Sequence, residues 1–215
     1  MLSIRVKPMK VFWTLLLLTA IFGNCVDLVA MIIVEPEVQV IGSPKCNALL
    51  RIDPSSRWSR ENKKPPAQGT VFVYDEKTHG YAFSATFNLR NPWAPWAAVI
   101  SDDAQFIATF DDHGDGFGCT ENAVVVYRRS GEVVHAWSLE DILSAEEIKL
   151  LGPQAMNSSA RHWRGSSIKF MDGASNIVWI PGPPNQQWLI AIKLNLTTLT
   201  FEKLIEPLGK PGHSK

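Results

Sequence analysis

The segment Asp111-Asp112-His113-Gly114-Asp115-Gly116-Phe117-Gly118-Cys119 is where the residue types and spacing come nearest to chemistry. Oxygen ligands at alternate positions suit a hard cation such as calcium. Asp111, His113, Asp115 and Gly116 occupy the first, third, fifth and sixth positions of a calcium-binding loop. Two positions depart from that pattern: His113 offers nitrogen, and the twelfth position is Asn122, with Glu121 one residue early. The segment also lies between strand-like runs, whereas such a calcium loop joins helices. The same residues read as a solvated hairpin loop, acidic because it is exposed and glycine-rich because it turns. Asp111 and Asp115 are thus the candidate metal ligands, calcium is the one cofactor they suggest, and Asp112 and His113 are candidate ligand contacts.

Aromatic residues supply the second candidate surface. The chain has eight tryptophans, and Trp93 and Trp96 fall in Asn91-Pro92-Trp93-Ala94-Pro95-Trp96, between two strand-like runs. Trp58 and Trp163 also fall in loops, each near arginines. Aromatic rings in loops offer large rigid area to a sugar or a protein partner, or else plug the core between sheets, as Trp137, Trp179 and Trp188 in strands are expected to do. His162, flanked by Arg161, Trp163 and Arg164, could act as a base or an anion contact. The five histidines have no metal-pair spacing, and no glycine-rich phosphate loop or nucleophile elbow is present. The binding set is therefore Trp93, Trp96, Asp112, His113, His162 and Arg164. This points to a non-catalytic binding or scaffolding protein with a protein or glycan ligand. Two alternatives stand beside it: a carbohydrate-binding module using Trp93 and Trp96, and a metal-dependent hydrolase using Asp111, Asp112, Asp115 and His162.

These residues need a scaffold, and the scaffold reads as β. Tyr81 to Leu89 alternates, with Phe83, Ala85, Phe87 and Leu89 expected on one face. Short β-branched or apolar runs recur at 38–41, 48–52, 71–74, 97–100, 105–110, 124–127, 133–137, 168–171, 177–180, 188–194 and 200–204, separated by turn residues. Ser138 with Asp141, and Ser144 with Glu147, have capping-box spacing, which predicts one or two short helices over 139–151, ended by Gly152-Pro153. Residues 53–69 and 152–166 read as exposed polar loops, and 207–215 as a flexible tail.

The N-terminal stretch speaks to compartment. Arg5, Lys7 and Lys10 precede the apolar run Val11–Phe22, the form of a secretory signal, with cleavage after Ala30. The competing reading is an uncleaved anchor over Val11–Val34, which must tolerate Asn24 and Asp27. Either way the chain after residue 35 is expected outside the cytoplasm, secreted or periplasmic, with the N-terminal segment its only membrane contact. Cleavage leaves Cys46 and Cys119, which an oxidising compartment would allow to pair. The domain reading is residues 1–30 as signal or anchor, 31–206 as a β domain and 207–215 as a tail.

Composition excludes whole classes of function. The 215 residues carry 21 basic and 21 acidic side chains, with 46% hydrophobic and 20% charged residues. A neutral chain without basic clusters is not built for nucleic acid. Its hydrophobicity is too high for a disordered chain.

An internal repeat completes the reading. Val40–Cys46, Val99–Ala104 and Phe170–Ala174 each read as strand, polar turn, strand. The tetrads Val71–Tyr74, Val124–Tyr127 and Leu189–Ile192 each open a second hairpin. Three units of four strands follow, near 38–89, 97–138 and 168–205. This order resembles the blades of β-propellers such as WD40-like repeats. Ser101-Asp102-Asp103-Ala104-Gln105-Phe106 looks like the serine–aspartate turn opening a blade, and Arg128–Val134 like a later glycine turn. Ser101–Trp137 with Ser158–Arg164 also resembles exported bacterial proteins of no established function, which implies a compartment and no chemistry. The resemblance implies an all-β fold of three blade-like antiparallel units, a partial or open propeller. Propellers close with four to eight blades, so the open sheets would be covered by the helices at 139–151 or completed by a second copy of the chain.

Overall fold

The computed structural model describes residues 37–55, 66–91, 94–111, 122–150, 163–165, 167–174, 176–182 and 188–207. The chain divides into Met1–Val34 and Glu35–Lys215, and all described residues lie in the second part. Among the described residues, twelve strands form three antiparallel sheets of four, each built from consecutive strands. The first sheet is β1 (Gln39–Gly42), β2 (Ala48–Asp53), β3 (Gln68–Asp75) and β4 (Gly80–Asn88). The second is β5 (Ala97–Ile100), β6 (Phe106–Phe110), β7 (Val124–Arg128) and β8 (Val133–Trp137). The third is β9 (Lys169–Phe170), β10 (Ile177–Pro181), β11 (Trp188–Asn195) and β12 (Thr200–Pro207). Between the second and third lie α1 (Leu139–Ile142) and α2 (Ala145–Leu150). The expected all-β architecture of three four-stranded antiparallel units is thus the observed one. β12 extends through Pro207, where a tail was expected to begin.

The second sheet is buried on both faces. Val125, Tyr127, Ile107 and Ile100 pack against Leu50, Ile52 and Val71 of the first sheet. Val124, Val126, Ala108 and Phe110 pack against Val178, Ile180, Ile192 and Leu194 of the third. This is why β7 reads as an unbroken apolar run: with core on both sides, alternation has no polar face to show.

The turns carry the repeat in the backbone. Ser43 N donates to Ala48 O and Ser101 N to Phe106 O, while Ala48 N and Phe106 N donate to the hydroxyls of Ser43 and Ser101. The third unit places Met171 at this position and keeps only the backbone bonds, Met171 N to Ile177 O and Ala174 N to Met171 O. Among the described residues, positive φ occurs at Cys46, His79, Ala104, Gly131, Gly173 and Leu199, one in each of the six hairpin turns. Both predicted capping boxes form: Asp141 N donates to Ser138 Oγ at 3.2 Å, and Glu147 N to Ser144 Oγ at 3.2 Å.

One side-chain placement differs from the sequence pattern. The pairing of β3 with β4 shifts between Val71 and Phe72, whose partners are Ala85 and Phe83. Ser84 is the extra residue of this bulge, so Phe83 turns to the outer face and is 65% exposed, while Phe87 stays on the core side.

Candidate functional site

Register places the site at the end of the second sheet where β5 begins and β6 ends. Ala97 pairs with Phe110 and Phe110 with Val124, so Trp96, Asp111 and Ala123 are the next residues out. Asp111 N donates to Ala123 O at 3.0 Å. The Asp111 side chain is buried, and its Oδ2 accepts from Asn91 Nδ2 at 3.0 Å. Asn91, fully buried, also donates to Asn122 O at 3.4 Å, and its Oδ1 accepts from Thr109 Oγ1 at 3.0 Å. An amide side chain can donate and accept at once, which suits this position between a carboxylate and a hydroxyl.

A third segment closes on the same aspartate. Trp163 is fully buried in the core between the second and third sheets, and its indole Nε1–H donates to Asp111 O at 3.1 Å. Two residues on, Gly165 N donates to Pro181 O at 2.6 Å, tying the segment to the end of β10. A Cβ at Gly165 would lie 2.9 Å from Gly182 O, so this close approach requires glycine. Arg164 between them is buried, with Nη1 donating to Gly165 O at 3.3 Å. The first sheet joins through Gln39 Nε2, which donates to Pro95 O at 3.0 Å. Nearby, Tyr127 OH accepts from Arg90 N at 2.9 Å. Burial pushes the Tyr127 phenol above its ordinary value, against the lowering pull of Arg90 and Thr109.

Of the residues singled out by sequence, the structure therefore brings together the stems of all three loops, 91–96, 111–119 and 158–164. Trp96 stands at this end and is 57% exposed. Asp111, expected in a solvated loop, is buried because it ends β6 and serves as the partner of Asn91 and Trp163. Trp93, Asp112, His113, Asp115, Cys119 and His162 lie outside the described residues, as does the calcium loop beyond Asp111. Cys46 is exposed in the β1–β2 turn, and its expected partner Cys119 lies outside the described residues. Trp137 is buried in the core as expected. Among the described residues, no three His, Cys, Asp or Glu side chains are grouped to hold a metal ion, and no helix is long and apolar enough to cross a membrane. Sequence reasoning missed Asn91 and Thr109, which organise the cluster. The one signal for Asn91 is a polar residue opening a Pro/Trp-rich loop.

The chain matches no protein-family model, and no curated protein matches it in sequence. Solved structures similar to it include a "putative 6-phosphogluconolactonase" from Bacteroides uniformis, at 10% identity and TM-score 0.40, and another of the same description from Bacteroides fragilis, at 13% and 0.39. Each alignment covers 81% of this chain and 42% of the other, so this chain spans about two fifths of their length. At this identity and TM-score the likeness assigns neither activity nor substrate. One expectation is corrected: nothing in these comparisons supports the reading of a non-catalytic binding or scaffolding protein, which is withdrawn.

Proposed function

We propose that this chain is an exported, propeller-like protein whose functional site is the loop end around Asp111, and that the site takes a small polyhydroxylated ligand. The observation that carries the reading is the convergence of three loops, distant in sequence, on one buried carboxylate through Asn91, Ala123 and Trp163. A rigid sheet that holds loop stems in fixed positions is the arrangement on which binding and catalytic residues are usually carried. Trp96 contributes an exposed indole at this end, suited to the apolar face of a sugar ring. Asn122 Oδ1 is buried and takes no hydrogen bond from any described residue, an acceptor left for a donor at the site. Trp93, Asp112, His113 and His162 adjoin the fixed stems in sequence and are proposed as further contacts, with Arg164 beside them. Export is proposed from Arg5, Lys7 and Lys10 ahead of the apolar run Val11–Phe22.

The test is a titration of the protein with monosaccharides, sugar acids and sugar-acid lactones, read by tryptophan fluorescence and, for the lactones, by hydrolysis. The expected result is saturable quenching by at least one compound, reduced tenfold or more in Trp96→Ala. Turnover that disappears in Asp111→Asn would place catalysis at the same site. Quenching unchanged by Trp96→Ala would remove Trp96 from the site.

A further inference from the structure

We propose that the outer face of the first sheet is a self-association surface, on which a second copy of this chain packs with the same face. The register puts Val40, Arg51, Thr70 and Thr86 in one row of that face, Leu49, Phe72 and Phe83 in the next, and Tyr74 with Tyr81 beyond them. Val38, Val40, Tyr74, Tyr81 and Phe83 are 52, 65, 38, 41 and 65% exposed. They make up five of the seven large hydrophobic side chains that stand exposed among the described residues. The bulge at Phe72 adds Phe83 to this face; regular pairing would have sent it to the core.

Geometry and charge select the occupant. The aromatic pairs are edge-to-face, with Phe72–Phe83 at 78° and Tyr74–Tyr81 at 71°, so the rings form no flat platform for stacking sugars. Within the chain, the first and second sheets already pack face to face, and sheet-on-sheet packing is the contact such a surface makes. The opposite terminal face of the stack, on the third sheet, is different in character. Its rows mix charged and apolar residues: Trp179 lies between Lys169 and Lys193 in the register, Glu202 pairs with Lys193, with Lys193 Nζ 3.1 Å from Glu202 Oε1, and Leu204 and Glu206 follow on β12. Seating that mixed face on the aromatic one would desolvate Lys169, Lys193, Glu202 and Glu206 against apolar rings. An isologous contact of two first-sheet faces about a two-fold axis avoids that cost and sets the Phe72, Tyr74, Tyr81 and Phe83 patch of one copy against that of the other. Among the described residues, the ion pair on the face, Arg51 Nη2 to Asp53 Oδ1 at 2.6 Å, is neutral as a pair and offers a foreign charged partner no net attraction. Covering seven apolar side chains removes several hundred Å2 per copy, approaching the roughly 800 Å2 per partner of a standard interface.

The experiment is sedimentation velocity of the full chain over a concentration series, with Phe83→Lys and Val40→Lys beside it. The expected result is a dimer of the 23.9 kDa chain whose association weakens tenfold or more in each variant, while the melting temperature moves by only a few degrees. Because either variant could unfold, a photo-crosslinking residue placed at Thr86 gives a second reading on an otherwise unchanged chain. A covalent species of twice the chain mass supports the proposal. A monomeric chain up to about 100 μM, association unaltered by Phe83→Lys in a folded protein, or no cross-linked dimer from position 86 would each overturn it.

Discussion

Gly131 shows how one residue fixes the packing of two sheets. Its φ of +87° lies in the left-handed region, and a Cβ there would stand 2.1 Å from Cβ of Phe87. Phe87 belongs to the first sheet and Gly131 to a turn of the second, so the turn must stay bare for the sheets to meet. Gly131→Ala combines a backbone cost of about 1–2 kcal/mol with an overpacking cost of about 1–3 kcal/mol. Chemical denaturation should therefore show a loss near 3 kcal/mol, which Phe87→Ala in the same chain does not restore, because alanine keeps the Cβ that the new methyl meets. At the site, Asn91→Leu leaves the Asp111 carboxylate and the Thr109 hydroxyl without their buried partner. A loss of about 1–3 kcal/mol is expected by the same measurement. Tyr127 adds a pH signature. Its phenol titrates above the ordinary 10.0 because it is buried, so stability is flat in this group below that pH. Stability falls as the pH rises further, because the unfolded chain ionises first. The sequence foretold little at this scale. Phe83 alternates with Ala85 and Phe87 as though it faced the core, and only the pairing partner reveals the bulge that turns it out.

The helical insert is the element most legible in sequence, because capping is a local interaction: Ser138, Asp141, Ser144 and Glu147 stand in the roles their spacing predicts. It is also the element whose stability should respond to acid. The Ser138 hydroxyl and backbone N–H hold Asp141 below its ordinary 3.8. Partial burial pushes Glu147 up, but Lys203 and Ser144 outweigh it and leave the carboxyl below its ordinary 4.5. Both groups are depressed in the folded state, so their contribution is present above those ordinary values and is lost as the pH falls through the lowered ones. Far-ultraviolet circular dichroism or amide chemical shifts at Leu139–Leu150 should show the insert loosening below about pH 4, ahead of the sheets. Ser138→Ala removes the first cap and should cost about 1 kcal/mol. A Ser138→Ala chain whose acid titration matches that of the parent would argue that the cap contributes nothing. The hairpin turns were legible for a related reason: turn residues declare themselves locally, and the recurring left-handed position in each turn is their backbone counterpart.

At the scale of the molecule, the strand count and the three-unit division were legible because each sheet is made of consecutive strands, so the sequence repeat is also the spatial repeat. The meeting of the loops was not. Nothing in a linear reading joins Asn91 to Asp111 or Asp111 to Trp163, because those contacts depend on how the second sheet stacks between its neighbours. Export is a prediction at this scale: a reporter joined after Lys45 should be active outside the cytoplasm, and activity confined to the cytoplasm would refute it. The central claim is that the loop end around Asp111 is where the protein works, on a body that does not depend on Trp96. It is tested most directly by following tryptophan fluorescence during titration with sugars, sugar acids and lactones, for the parent chain and for Trp96→Ala, with melting temperatures recorded alongside. The account predicts saturable quenching in the parent, its loss in Trp96→Ala, and melting temperatures within a few degrees of each other. Quenching that survives the substitution, or a Trp96→Ala chain that melts far below the parent, would contradict it.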